Sequence, residues 1–260
     1  MSGGSLSETD SLSKNETETS ASTVLSARQP HTSVHCRDSR WKDSTAATRY
    51  SRAMVDKDTV RRGYDSIAES YTAERSSDER ELALLDRFLE TLPSDARLLD
   101  VGCGGGTPVL RKCCTVGSAT GLDFSRTQLE LATSNAPQAA LLQGDMTSLP
   151  IRDDAFDAVT AFHSLIHVPR DEHQSVYDEF ERVLRPGGRL LVTTGTGAWS
   201  GTNPDWLETG VEMQWDIAGP ATTRTQLQRA GFGDISARDV THDFSDQDEQ
   251  WLYVTAILDP

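Results

Sequence analysis

Residues 98–110 read Leu-Leu-Asp-Val-Gly-Cys-Gly-Gly-Gly-Thr-Pro-Val-Leu. The run Arg97–Val101 is short and apolar apart from Asp100, the pattern of a strand buried on both faces. Gly102, Gly104, Gly105 and Gly106 follow, so the backbone there can turn tightly and come close to a ligand. Thr107-Pro108 then reads as a cap and a first-turn proline opening a helix. A strand, a glycine turn and a helix make the first unit of an open α/β sheet, whose ligands bind beyond the carboxyl ends of the strands. A glycine turn alone is shared by several folds, so the flanking sequence has to decide among them.

Moving outward, strand and helix signals alternate. SATGLDF (118–124) is a second strand ending near Asp123, and Ser125 with Gln128 forms a capping box for the next helix. AALLQ (139–143) and FDAVTAF (156–162) are a third and a fourth strand. Asp171 with Gln174 is expected to cap a helix reaching Leu184, and Arg185-Pro186-Gly187-Gly188 turns into a fifth strand, RLLVTT. A helix at 222–230 leads through Gly231 to DISARDV and QWLYVTAIL. Upstream, Val60, Tyr64, Ile67, Ala68 and Tyr71 share one helical face. A second helix, capped by Ser77, carries Leu82, Leu85, Leu89 and Leu92 before Pro93. This alternation implies a doubly wound α/β domain with helices on both faces of a mostly parallel sheet. Residues 195–220 show no period and hold Trp199, Trp206 and Trp215. They read as a long loop, either a functional lid or a packed insertion.

Three further features sharpen the glycine turn. Asp123 lies about twenty residues on, where a carboxylate can accept from both hydroxyls of a ribose. Gly144-Asp145-Met146 follows the third strand, and Leu184-Arg185-Pro186-Gly187-Gly188 precedes the fifth. With Tyr64-Asp65-Ser66-Ile67-Ala68-Glu69-Ser70-Tyr71 as an N-terminal lid helix, the chain over residues 58–258 resembles the class I S-adenosylmethionine-dependent methyltransferases, small-molecule type (methyltransferase domain 11/25-like). The resemblance implies a Rossmann-like sheet of seven strands in the order 3-2-1-4-5-7-6, the last antiparallel. It also implies S-adenosylmethionine as cofactor. Asp100 and the Gly102, Gly104 and Gly106 backbone would hold its methionine end, and Asp123 its ribose. Phe124 and Met146 would flank the adenine, Asp145 would accept from its amine, and Phe162 would lie along the sulfonium. The alternatives are a nicotinamide-dependent oxidoreductase and a non-catalytic S-adenosylmethionine-binding protein. The dehydrogenase fingerprint wants glycine at 107, where this chain has Thr107-Pro108.

For the acceptor side, His163 and His167 lie just beyond the fourth strand, and His167 matches a histidine that the family often shows in this segment. A base there suits a hydroxyl or amine acceptor; a packed histidine is the plainer reading. Tyr71 joins them as a catalytic candidate, and Tyr64, Glu212, Trp215 and Asp216 as pocket residues. No Asn/Asp-Pro-Pro-Tyr/Phe motif follows the fourth strand and no basic stripe is present, so nucleic acid is not the expected partner. No metal-ligand spacing occurs among Cys36, Cys103, Cys113 and Cys114, and a disulfide framework is not expected. The expected acceptor is a small apolar or aromatic metabolite.

Residues 1–53, rich in Ser, Thr and Glu, read as a disordered tail ahead of a domain at 54–260, with Met54 an alternative start. The first 30 residues hold no apolar segment of signal-peptide type, and no run approaches a membrane span, which points to the cytoplasm. The formal net charge is −15, and lysine occurs only at Lys14, Lys42, Lys57 and Lys112. Charges cancel up to residue 60, so the excess sits on the folded part. An acidic surface so poor in lysine suits a halophile's protein, with an ordinary acidic cytosolic protein as the alternative. Screening of this self-repulsion should stabilise the fold. The melting temperature is expected to rise from about 0.1 M to about 2 M KCl; a flat or falling curve would remove the halophilic reading.

Overall fold

Arg97–Val101 forms β1, and all of its residues after Arg97 are buried. It pairs in parallel with β2 (Ser118–Asp123) on one side and β4 (Phe156–Ala161) on the other. Beyond them lie β3 (Ala140–Gln143) and β5 (Leu184–Gly195), also parallel. The closing strands β8 (Phe232–His242) and β9 (Glu249–Leu258) form a hairpin, with β9 running antiparallel to β5. The sheet order is β3-β2-β1-β4-β5-β9-β8. Counting only its own strands, this is the expected 3-2-1-4-5-7-6 arrangement with the seventh strand antiparallel.

The computed structural model describes residues 55–74, 78–242 and 249–260, all within one unit. The expected tail over 1–53, the start at Met54 and the cap at Ser77 lie outside the described residues. Among those described, no helix is long and apolar enough to cross a membrane.

Alternate residues of the central strands feed two cores. Leu99, Val101, Leu190 and Val192 pack with Tyr177, Phe180 and Leu227 of α5 (His173–Val183) and α6 (Pro220–Arg229). Leu98 and Leu191 face the opposite way, against Leu85 and Phe88 of α2 (Glu79–Leu89) and Leu110 of α3 (Val109–Cys113). Burial of each such leucine contributes roughly 1.5–3 kcal/mol, so two-sided coverage explains why these strands read as continuous apolar runs.

The helix caps follow the local signals at some termini and depart from them at others. Ser125 caps α4 (Arg126–Asn135), its Oγ accepting from the Gln128 N–H at 3.2 Å. Asp78 caps α2 by accepting from the Arg80 N–H. On α2 the buried face is Glu81, Leu85, Phe88 and Leu89, and Leu82 is only half-buried. The expected Thr107 cap is not formed: Pro108 takes the N-cap position without a side-chain bond. Asp171 does not cap α5 either. It lies in the short 3-10 turn Arg170–Glu172, Glu172 stands at the N-cap, and the Gln174 amide donates to Asp178 instead.

The largest departure concerns residues 195–220. They form a β-hairpin, β6 (Trp199–Trp206) and β7 (Val211–Ile217), separate from the main sheet. It packs on α1 (Lys57–Glu74): Met213, fully buried, meets Val55 and Val60, with Tyr64, Phe124, Trp206 and Trp215 around them. The hairpin thus finds its apolar partner in the lid helix rather than in the sheet. Met213→Ala should cost about 2–5 kcal/mol in denaturant unfolding, whereas a change below about 0.5 kcal/mol would mean the hairpin and helix are not docked through it.

Candidate active site

Four strands deliver their carboxyl ends to one cleft of about 630 Å³, its open side included. Gly102 and Gly104 come from β1, Asp123 and Phe124 from β2, Asp145 and Met146 from β3, and Phe162 and His163 from β4. Helix α1 lies along it, contributing Lys57, Tyr64 and Tyr71.

The glycine turn is pinned from beneath. The N–H groups of Gly102 and Cys103 both donate to the Leu122 carbonyl, at 2.7 and 3.0 Å. Gly102 has φ of +73°, and a Cβ there would stand 2.2 Å from the Ser164 Cβ. No other residue fits. At Gly104 a Cβ would meet nothing nearer than the Gln128 Oε1 at 3.7 Å, so the backbone faces the cleft. Gly106 lies behind, packed against Ala132, and does not line the cleft.

Asp123 is buried, and its oxygens accept from the N–H groups of Gly104 and Ser125, each at 2.8 Å. A carboxylate offers about four lone-pair sites, which leaves two for the vicinal hydroxyls of a ribose. Burial raises its pKa to about 6, with backbone hydrogen bonds opposing the rise. Asp100, expected at the ligand, lies one layer deeper: buried, it accepts from the Thr160 hydroxyl at 2.8 Å and is not on the cleft wall.

Asp145 lines the cleft, yet its carboxylate is already engaged. Lys57 Nζ lies 2.7 Å from Oδ2, and both the N–H and the hydroxyl of Thr147 donate to Oδ1. Burial would raise this pKa; Lys57 and Thr147 outweigh it and hold the group below the usual value. The same ammonium reaches Glu172 Oε2 at 2.6 Å. Lys57 and Ser164 are cleft residues that no motif singles out, and Gln128 was marked only as part of a helix cap. Periodicity does place Lys57 at the head of α1, a turn before the apolar face begins.

His167 and His163 differ in role. His167 is buried, and its Nδ1 is 2.8 Å from the Gln214 carbonyl, which can only accept. Nδ1 therefore carries the proton, and Nε2 accepts from the Tyr64 hydroxyl at 2.9 Å. Burial lowers its pKa to about 4, so the ring is neutral at physiological pH. His163 sits on the other wall with φ of +50°. Its Nε2 lies 3.2 Å from the Tyr253 hydroxyl and 3.4 Å from buried Glu81. Tyr71 packs on Tyr64 and Trp206. Cys103 and Cys113 are buried, with thiols pushed well above their ordinary pKa by that burial, so both act as filler.

The residues fit a nucleoside cofactor: a glycine backbone open to the cleft, a buried carboxylate with two acceptor sites left, and Phe124 and Met146 as apolar neighbours. In sequence and fold the chain is similar to the class I S-adenosylmethionine-dependent methyltransferases, whose cofactor is S-adenosylmethionine. Residues 99–192 match the methyltransferase domain family. The chain is similar to the 27-O-demethylrifamycin SV methyltransferase of Amycolatopsis mediterranei (strain S699), 35% identical over 156 residues, covering 51% of this chain and 57% of that protein. It is similar also to methyltransferase GfsG of Streptomyces halstedii, 35% identical over 150 residues, covering 54% and 52%. It thus spans between half and three-fifths of these relatives' length. Among solved structures, the [4+2]-cyclase SpnF shares the fold at a TM-score of 0.61 and 24% identity, over 77% of this chain and 95% of that one.

Asp123 accepts well only when ionised. Since its pKa is raised to about 6, the unliganded carboxyl takes up a proton as pH falls through that value. Affinity for S-adenosylhomocysteine should fall about tenfold between pH 7 and pH 5, measured by calorimetry. Asp123→Ala should bind at least tenfold more weakly at pH 7 and lose this dependence. A pH-independent affinity in the wild type would show that the carboxylate does not hold the ligand.

Proposed function

We propose that the chain transfers a methyl group from S-adenosylmethionine to a hydroxyl or amine of a small apolar or aromatic metabolite. The observation that carries this reading is the meeting of two features in one cleft: the Asp123–Gly104 cradle and the hydrogen-bonded pair Tyr64–His167. Around that pair stand Trp206 and Trp215, with ring centroids 5.6 Å from Tyr64 and 5.8 Å from His167. An aromatic wall of this kind favours an apolar acceptor. The name of the rifamycin relative, which specifies an O-demethylated substrate, supports a hydroxyl acceptor.

When bound, S-adenosylmethionine supplies a sulfonium methyl open to in-line displacement. The chain's part is position and proton management. The glycine backbone and Asp123 fix the nucleoside, and Phe162 and Ser164 shape the end nearest β4. A proton leaving the acceptor can pass to the Tyr64 oxygen as the Tyr64 proton moves to His167 Nε2. The resulting imidazolium remains bonded to the Gln214 carbonyl. His167 then works through Tyr64 rather than on the acceptor directly, and its low pKa returns the proton readily.

We place the protein in the cytoplasm, of a halophilic organism, on the acidic, lysine-poor composition. The same charge disfavours nucleic acid as substrate. A nicotinamide oxidoreductase finds no support in the site, where residue 107 is Thr and β9 runs antiparallel beside β5.

Labelled S-adenosylmethionine offered with a panel of hydroxylated aromatic and polyketide-like acceptors should yield labelled product. His167→Ala and Tyr64→Phe should each lower kcat at least tenfold, with S-adenosylhomocysteine affinity within about threefold of wild type. Tyr64→Phe keeps the ring packing, and an unchanged thermal melt separates lost turnover from the loss of the hydrogen bond to buried His167. Normal turnover in both variants would overturn the proton route, and heat on titration with NAD but not S-adenosylmethionine would overturn the function.

A further inference from the structure

A second recess, about 900 Å³ including its open side, lies on the α2 face of the sheet, away from the glycine turn. Its floor is unusual for a sheet face. Leu191, Thr255 and Ser236 form one row across β5, β9 and β8, so two hydroxyls stand where helix-covered sheets carry aliphatic side chains. Arg189 on β5 lies opposite Ile257, and Arg238 on β8 lies opposite Tyr253. From strand spacing the two arginines are set diagonally about that row, roughly 16 Å apart at Cα. The α2 side supplies Arg87 and Thr91, with Leu84 and Phe88 as an apolar wall.

Three guanidiniums therefore surround a hydroxyl-bearing floor, and Asp234 is the one carboxylate among the described residues that line it, which leaves the recess locally cationic in a chain of net charge −15. Among the described residues no hydrogen bond or ion pair engages Arg87, Arg189 or Arg238. By contrast Arg61, Arg170, Arg182 and Arg185 all pair with carboxylates. A polar, basic recess is not the apolar face that a second copy of the chain would cover.

We propose that this recess binds a small phosphate monoester. The arginines and hydroxyls would hold the phosphoryl oxygens, since guanidinium matches a phosphate fork-to-fork. Leu84, Phe88 and Ile257 would take the apolar part of the ester. The site is independent of the methyl-transfer cleft and stands whether or not that activity is found.

Calorimetry with phenyl phosphate and, separately, inorganic phosphate tests the proposal on the full chain at about 0.1 M salt. Phenyl phosphate should bind with Kd below about 1 mM and at least threefold more tightly than inorganic phosphate. The double variant Arg189→Gln/Arg238→Gln should weaken it at least tenfold. Arg152→Gln, at an exposed arginine elsewhere, should leave it unchanged, as should S-adenosylhomocysteine affinity in the double variant. Thermal melts would confirm that the double variant folds. Absence of binding, equal loss in Arg152→Gln, or equal affinity for inorganic phosphate would overturn the proposal. So would a dimer in sedimentation that the double variant dissociates without change in phenyl phosphate affinity.

Discussion

One buried carboxylate organises the functional end of this molecule. Asp123 ends β2 where solvent is excluded, a position that disfavours its charged form. The structure offsets that cost by bringing the N–H groups of Gly104 and Ser125 to it. Drawing Gly104 toward Asp123 sets the path of the glycine turn. Fixing Ser125 starts α4, because its side chain then caps Gln128. The Ser125 hydroxyl also donates to Asp65 of α1 at 2.6 Å, so the lid helix is registered against the same point. A single desolvated charge thus links cradle, cap and lid.

The two histidines beyond β4 show how neighbours within four residues acquire different chemistry. His167 is turned inward, its tautomer dictated by a backbone carbonyl of the hairpin and its free pair occupied by a tyrosine of the lid. His163 is turned toward Glu81 and Tyr253, groups brought from α2 and β9. Neither assignment follows from the sequence spacing, because both depend on elements that arrive from more than forty residues away.

What could be read in the sequence was set by locality. The parallel strands were legible because each is a short, largely apolar run, all but β4 closed by Gly or Asp, and their order followed from a family resemblance carried by several motifs at once. Asp123, Gly102 and Gly104 were legible because strand-end carboxylates and glycine turns have local signatures. Asp100 and Gly106 carry the same signatures but serve the layer beneath, bonded to Thr160 and packed on Ala132. Asp145 reached the cleft as expected, while its engagement by Lys57 depends on where α1 crosses the cleft, which no local pattern encodes. The hairpin at 199–217 escaped because its strands are largely half-buried or exposed and only Met213 and Ile217 are buried, too few to produce an alternating pattern.

That hairpin leaves β5 and returns to α6 through a narrow neck: at Gly219 a Cβ would come within 2.7 Å of the Ala198 nitrogen. Insertion at so tight a junction leaves the order of the main sheet intact, with β6 and β7 pairing only with each other. On the proposed function, substitutions or length changes within 199–217 would reshape the wall around Tyr64 and His167 while the strand ends that carry Gly104 and Asp123 keep their places. Substrate preference could then diverge between descendants faster than the chemistry they share.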